Sequence, residues 1–157
     1  KKKKSITVAD QFRITSNVTS NAEITSNIER VDSTGQGGLT ANQMSESSGV
    51  FTFPLTGIYL VSFDATGSAP STADNISITI KVTTNNSSYN GIAYNSECGN
   101  AGSAKTFGAT VKSLIDVTDV SNVKVKFEVG SLASGSFLTG DTTQNTSYFT
   151  FIRLGDT

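Results

Sequence analysis

The sequence predicts an all-β protein, a two-sheet sandwich or jelly roll, and three observations support this. Ser, Thr and Asn contribute 22, 22 and 12 of the 157 residues, whereas the helix formers Glu, Lys, Leu and Ala are comparatively sparse. Segments such as NISITIKV and VKVKFEV alternate apolar and polar side chains, as half-buried strands do. No segment has a helical period longer than a turn or two. We therefore expect about eight to ten short strands in one domain.

The N-terminal third contains the first strand or strands. Apolar residues from Ile6 to Val18 share one parity, and the pattern predicts an interruption near residues 9–11. A polar, glycine-bearing stretch, residues 32–49, follows. A loop of this length is unusual in a compact domain, so we expect a surface excursion with a function.

The rest of the chain predicts strands separated by polar turns. Phe51 and Phe53 mark a short strand, which ends at a turn over residues 54–57 because proline is tolerated where no ladder donor is required. Residues 83–104 and 130–146 are expected to be polar loops. The remaining strands are predicted at IYLVSF (58–63), NISITIKV (75–82), KTFGATVKSLIDV (105–117), VKVKFEV (123–129) and SYFTFIRL (147–154).

Two of these strands, IYLVSF and SYFTFIRL, are apolar on both parities. A sheet in an isolated sandwich packs one face on the core and leaves the other in water, so the second apolar face needs a cover. Exposing Ile58, Leu60, Ile152 and Leu154 together would invite aggregation. The cover is either the chain's own loops or an identical neighbour, and the polar composition of the loops favours the neighbour. A thick core edge in a monomer is the remaining alternative.

Charge and hydropathy argue against several partners. The formal net charge is −1, and removing the first four residues, all lysine, takes it to −5, so no basic face for nucleic acid is expected. No apolar run approaches the roughly 18 to 20 residues of a membrane span. The run Lys1, Lys2, Lys3 and Lys4 is either a basic arm that docks on an acidic partner or a solvated leader. The chain starts with Lys rather than Met, which is expected of a processed chain or of a piece of a longer one.

The residue inventory argues against an enzyme and predicts no cofactor. The chain contains no histidine, which excludes a histidine base or a histidine-ligated metal, and the single cysteine, Cys98, has no activating partner nearby in sequence. Asp116 with Asp119, or Asp64 with Asp74, could contribute oxygen ligands to calcium, but no EF-hand spacing is present. Ordinary turn aspartates are the favoured interpretation, and no metal site is predicted.

Three segments resemble a known family. SSGVFTFPLTGIYLVSF is similar to the signature of the globular head of the first complement component and its tumour-necrosis-factor-like relatives. In it, Gly49, Phe51, Pro54, Gly57 and Tyr59 fall on recurring positions of the family. SLIDVTDVSNVKVKFEV resembles the family's leucine strand, turn and valine strand, and TQNTSYFTFIRL resembles its closing aromatic strand. The match covers about residues 28–154, so residues 28–157 are assigned to the jelly roll and residues 1–27 to a basic arm with the first strand or strands.

The resemblance implies a two-sheet antiparallel jelly roll of about ten strands, assembled as a compact homotrimer. It places VKVKFEV at the edge of the inner sheet, where Lys124 and Lys126 reach water. The side chains implied to fill the core are Tyr59, Val61, Phe63, Phe149 and Phe151. Those implied to face the threefold axis, and so to form the trimer interface, are Ile58, Leu60, Tyr148, Ile152 and Leu154.

A second resemblance concerns the setting. FTFIRLGDT, TTNNSSYN and SNVKVKF look like stretches of jelly-roll virion proteins from tailed bacteriophages, particularly marine ones. This implies a structural protein on the surface of a virus particle, most simply a trimeric capsid decoration or cement protein that contacts the major capsid protein. The alternative is the receptor-binding tip of a head or tail fibre, attached to other fibre or tail components, with the loops at 32–49, 83–104 and 130–146 recognising a host glycan or protein.

Overall fold

The computed structural model describes residues 5–70, 74–99 and 103–157. Within these ranges the chain forms twelve strands, and no helix long and apolar enough to cross a membrane is present. The strands are β1 (Ala9–Ile14), β2 (Ala22–Glu23), β3 (Ile28–Arg30), β4 (Ser45–Ser47), β5 (Val50–Thr52), β6 (Gly57–Ala69), β7 (Asp74–Thr83), β8 (Asn90–Gly99), β9 (Lys105–Val117), β10 (Lys124–Gly130), β11 (Phe137–Leu138) and β12 (Tyr148–Gly155).

The strands form two antiparallel sheets. Sheet A has the order β3-β1-β12-β6-β9, and the short β11 pairs with β6 beyond the end of β12. Sheet B has the order β4-β5-β10-β7-β8, and β2 pairs with β10 further along the same edge as β5. At one side of the sandwich the two sheets are joined by a hydrogen bond from Asn95 Nδ2 on β8 to the carbonyl oxygen of Thr110 on β9 (2.8 Å). The two-sheet antiparallel jelly roll predicted from the sequence is therefore confirmed.

The core lies between the sheets and is rich in phenylalanine. Phe127 of sheet B stacks on Phe149 of sheet A with ring centroids 4.0 Å apart, and Phe51 meets both rings edge-on. Each fully buried side chain of this size stabilises the fold by roughly 1.5–3 kcal/mol. The five side chains implied to fill the core are all fully buried, namely Tyr59, Val61, Phe63, Phe149 and Phe151.

The turn predicted over residues 54–57 is present and ends at a required glycine. Gly57 adopts a φ of 139°, a conformation that side chains rarely tolerate. A Cβ at this position would also collide with the carbonyl oxygen of Gly155 on the neighbouring strand. Glycine here therefore allows β6 to begin close beside the end of β12.

Three loop predictions and one interruption are corrected. Residues 90–99 of the stretch 83–104 form strand β8, which pairs with β7 from Asn90 to Gly99 apart from one irregularity. Its small polar residues concealed it, because an edge strand is held by ladder hydrogen bonds more than by buried side chains. The stretches 32–49 and 130–146 contain the short strands β4 and β11, and β1 runs from Ala9 to Ile14 with no interruption over residues 9–11.

The implied position of VKVKFEV is also wrong. Its strand, β10, lies inside sheet B, flanked by β7 on one side and by β5 and β2 on the other. Strict alternation is equally compatible with a central strand, since its inward residues meet the core while its outward residues meet water. Lys124 and Lys126 accordingly lie on the outer face of sheet B, where both are half-buried.

Candidate functional site

The candidate site is the outer face of sheet A, called face A, formed by side chains of β1, β12, β6 and β9 that point away from the core. Leu60 on β6 lies opposite Ile152 on β12 and opposite Leu114 on β9, and Ile152 lies opposite Ala9 on β1. These four residues form an apolar row across four neighbouring strands. The row is the feature of face A most suited to contact with another protein surface.

The five residues implied to form a trimer interface divide into three groups. Ile58, Leu60 and Ile152 lie together and are half-buried. Tyr148 lies four residues away along β12, near the opposite end of the strand. Leu154 lies where the pairing register between β12 and β6 shifts and is 56% exposed. The structure thus brings three of the five together, and their contact with a neighbouring subunit stays a prediction.

Leu114 belongs to the apolar row but was missed from the sequence. It lies in β9 on the parity that faces solvent and is 63% exposed. The signal was present, because the adjacent Leu114 and Ile115 make this strand apolar on both parities, as in IYLVSF. The strict alternation from Phe107 to Val111 indicates only the inward face of this strand.

The other end of face A is covered by the chain's own segment 29–36. Arg13 on β1 points to this face, yet its side chain is fully buried. Its guanidinium donates hydrogen bonds to Glu29 (2.6 Å), Asp32 (2.6 Å), the hydroxyl of Ser33 (2.9 Å) and the side-chain oxygen of Gln36 (3.3 Å). Arginine is almost never fully buried unless it is paired, and here the pairing holds the segment over the strand.

A second loop secures this cover. The hydroxyl of Ser33 donates to the carbonyl oxygen of Thr143 (2.8 Å), which joins the segment 29–36 to the turn that begins at Asp141. The N–H of Thr143 donates to the Asp141 carboxylate, and this is the largest cause that lowers the pKa of Asp141. Face A therefore has a covered end beside Arg13 and an open apolar row at the other end.

Two of the four acidic residues considered for calcium, Asp119 and Asp64, accept hydrogen bonds from neighbouring groups of the chain. Asp119 accepts the backbone N–H of Ser121 (2.7 Å), the largest cause that lowers its pKa. Asp64 accepts the hydroxyl of Thr110 from the neighbouring strand (2.7 Å). The side chain of Asp74 lies outside the described residues. Among the residues that are described, no group of three or more His, Cys, Asp or Glu side chains is placed to hold a metal ion.

Two further sequence predictions concern Cys98 and the N-terminal lysines. Cys98 lies on strand β8, with an exposed side chain. Lys1, Lys2, Lys3 and Lys4, predicted to dock on a partner, lie outside the described residues, so their role stays a prediction.

Two antiparallel layers of six strands each, in this strand order and packed on a phenylalanine core, define a tumour-necrosis-factor-like jelly roll. The chain is similar to the structure of Eiger TNF from S. frugiperda, with a TM-score of 0.65, 13% sequence identity and coverage of 98% of this chain and 96% of that one. It is also similar to the crystal structure of murine APRIL at pH 5.0, with a TM-score of 0.62, 8% identity and coverage of 94% and 98%. No family model matches the chain, and no curated protein matches it in sequence. The similarities establish the TNF-like fold that the first resemblance implied.

Proposed function

We propose that this protein is a virion structural protein of a tailed bacteriophage, a homotrimer that decorates and stabilises the capsid. The apolar row of face A is the observation that carries the proposal. A row of Ile152, Leu60 and Leu114 across three strands suits a permanent contact between identical chains better than it suits water. The family resemblance, which implies a compact homotrimer, and the TNF-like fold support the same arrangement.

The proposed mechanism is geometric. A trimer matches the local threefold positions at which neighbouring capsomers meet, and a protein seated there holds them together. The buried apolar row would fix the oligomer. The four N-terminal lysines would clamp an acidic surface of the major capsid protein by charge complementarity.

The phage setting is supported by short sequence stretches, above all FTFIRLGDT at the C-terminal end. Its direct test is immunogold labelling of purified particles from the source phage, with antibodies raised against the recombinant protein. We expect many gold particles spread over the head, and prior incubation of the antibody with excess protein should remove them. Particles without label would contradict a virion role.

The second candidate function is a receptor-binding tip on a head or tail fibre, attached to the particle through fibre or tail components. A polar groove on the outer face of sheet B favours it, because such a groove suits recognition rather than assembly. The labelling experiment separates the two functions. Few gold particles, confined to fibre ends, would support the tip, whereas label across the capsid surface would support decoration.

A further inference from the structure

The groove lies on the outer face of sheet B, called face B, and has a volume of about 470 Å³. One wall is the β4–β5 hairpin with Ser45, Ser47 and Thr52, and the other is the turn that carries Asn86 and Tyr89. Lys124 of β10 lies between these walls, opposite Thr52 on β5 and Thr83 on β7. We call this feature the lysine groove.

Lys124 is the cation of the groove without a carboxylate partner in the described part of the chain. The neighbouring cations, Lys126 and Lys81, both pair with Glu23 at 2.9 and 2.7 Å, and Lys81 also pairs with Glu128 at 3.0 Å. No ion pair among the described residues involves Lys124, although its side chain is half-buried. A lysine in a groove that forms no ion pair attracts an anion from outside.

The carboxylate that lines the groove is already engaged. Glu46 on β4 accepts the backbone N–H of Gly49 at 2.6 Å, within its own hairpin. This bond directs the carboxylate to the hairpin turn. Glu46 keeps its negative charge, but the groove lining also contains Lys126, so two lysines stand against this one carboxylate.

The hairpin wall is rigid before any ligand arrives. Its two-residue turn, Ser48 and Gly49, has φ values of 50° and 79°, the two positive values of a type I′ hairpin. A Cβ at Gly49 would collide with the carbonyl oxygen of Ile24, so the turn packs directly on the backbone beside it. A fixed wall reduces the ordering that binding would otherwise require.

The opposite wall is equally constrained. Asn86 donates its backbone N–H to the carbonyl oxygen of Asn122 (3.0 Å), and the side-chain oxygen of Asn85 accepts the N–H groups of Ser87 and Ser88. Tyr89 is held by Lys126, whose Nζ lies 4.3 Å from the ring centroid. Both walls thus present polar groups in set positions.

We infer that the lysine groove binds an acidic sugar unit, with the sugar carboxylate on Lys124 and the sugar hydroxyls on Ser45, Ser47, Thr52 and Asn86. A single uncompensated ammonium matches one carboxylate, and hydroxyl and amide side chains are suited to a polyhydroxylated ring. Peptide recognition would instead call for apolar side-chain pockets, whereas the apolar side chains of the groove are Val50 and Tyr89, and the Tyr89 ring is already in contact with Lys126. The inference deepens the second candidate function but needs neither the trimer nor the particle, since the groove and face A lie on different sheets.

The experiment is an NMR titration of the ¹⁵N-labelled protein with trigalacturonic acid, its uncharged methyl ester and a triglutamate peptide. We expect amide shifts around the lysine groove with the acid, and affinity for it about tenfold above that for the ester, because the ester lacks the charge-assisted hydrogen bond. Lys124→Gln should weaken acid binding by about tenfold as well. Lys112→Gln, which removes an exposed lysine from face A, should leave the affinity unchanged.

A second variant tests the groove without changing Lys124. Ser47→Trp fills the groove from an exposed position, so it should fold normally and abolish binding. The inference is overturned by equal binding of acid and ester, by equal binding of triglutamate, by shifts outside the groove or by no shifts at all. A monomeric protein that binds the acid as expected would refute the trimer and leave the groove standing.

Discussion

At the scale of the residue, the contacts of Arg13 explain how one end of face A is covered. The segment QFRIT identifies it only as the outward-facing residue of a strand, and an exposed arginine is the ordinary expectation. Its burial depends on Glu29, Asp32 and Ser33, which lie later in the chain, so the residues around Arg13 do not predict that its side chain is buried. Of the covers considered for this face, the chain's own loop accounts for the end beside Arg13.

We expect Arg13→Met to destabilise the protein by about 2 kcal/mol, because it removes the charge-assisted hydrogen bonds that hold the segment 29–36 over β1. Arg13→Lys should rescue little, since lysine lacks the planar fork that reaches Glu29 and Asp32 together. Urea unfolding at pH 7 measures both changes. Lys112→Met, an exposed site on the same face, is the control and should stay within about 0.5 kcal/mol of wild type. An equally small effect at Arg13 would show that its ion pairs and hydrogen bonds add nothing to stability.

At the scale of the element, the two-residue strand β2 is attached to sheet B mainly by the ion pairs of Glu23, because two residues form few backbone hydrogen bonds. Lys81 and Lys126 face each other directly across β7 and β10, and Glu23 of β2 binds both ammonium groups. Like charges placed opposite each other are destabilising, so Glu23 relieves a repulsion while it attaches β2 to the sheet. Its pKa is lowered, chiefly by the hydrogen bond from Lys81 and then by that from Lys126.

A pH dependence follows from Glu23. A carboxylate whose pKa is lower in the folded than in the unfolded state adds stability above the ordinary value of about 4.3, and loses it as the pH falls through the lowered value. The difference in unfolding free energy between wild type and Glu23→Gln should therefore be constant near neutral pH and shrink below about pH 4. Urea unfolding at a series of pH values measures it. Glu97→Gln, exposed on β8, is the control, and a difference independent of pH for Glu23→Gln would refute the role of the ion pairs.

Strand prediction succeeded where side chains alternate and failed where backbone pairing alone defines the strand. NISITIKV and VKVKFEV were recognised because their isoleucines, valines and phenylalanine enter the core. Strand β8 is not predicted from the sequence because Ile92 and Tyr94 are followed by small and polar residues, so the alternation does not continue along NGIAYNSECG. Its existence depends on β7 lying beside it, which is a property of the folded chain.

For the whole molecule, the open apolar row determines how copies would meet in the proposed trimer. Three flat sandwiches around a threefold axis cannot all pack face to face, so face A of each must also meet an edge of the next. The row reaches the β9 edge at Leu114, and the neighbouring β8 carries the exposed Ile92 and Tyr94. Face and edge are thus both apolar, as a closed ring of identical subunits requires.

We expect light scattering to give a particle of three times 16.4 kDa for the wild type. Leu60→Lys should give a monomer or an aggregate, because it places a charge in the centre of the row. Ser47→Lys, at an exposed position of β4 on the opposite edge of sheet B from β8, is the control and should stay trimeric. A well-behaved wild-type monomer would contradict the trimer, and an equal loss of mass in the control would contradict the location of the interface.

Period-two alternation can be seen in the chain alone, because the two faces of a strand are a local consequence of its pleat. The sequence pattern therefore sufficed for the all-β class and for the two doubly apolar strands, whereas the parity of those strands that faces the core, with Tyr59 and Phe149, was implied by the family resemblance. Strand order, the burial of Arg13 and the open cation in the lysine groove required the folded structure. Each of these features arises where segments far apart in sequence meet, as β1 and β12 do. Pairing between distant strands is made by backbone hydrogen bonds, which every residue type except proline can both donate and accept, so the local sequence does not reveal which strands will pair.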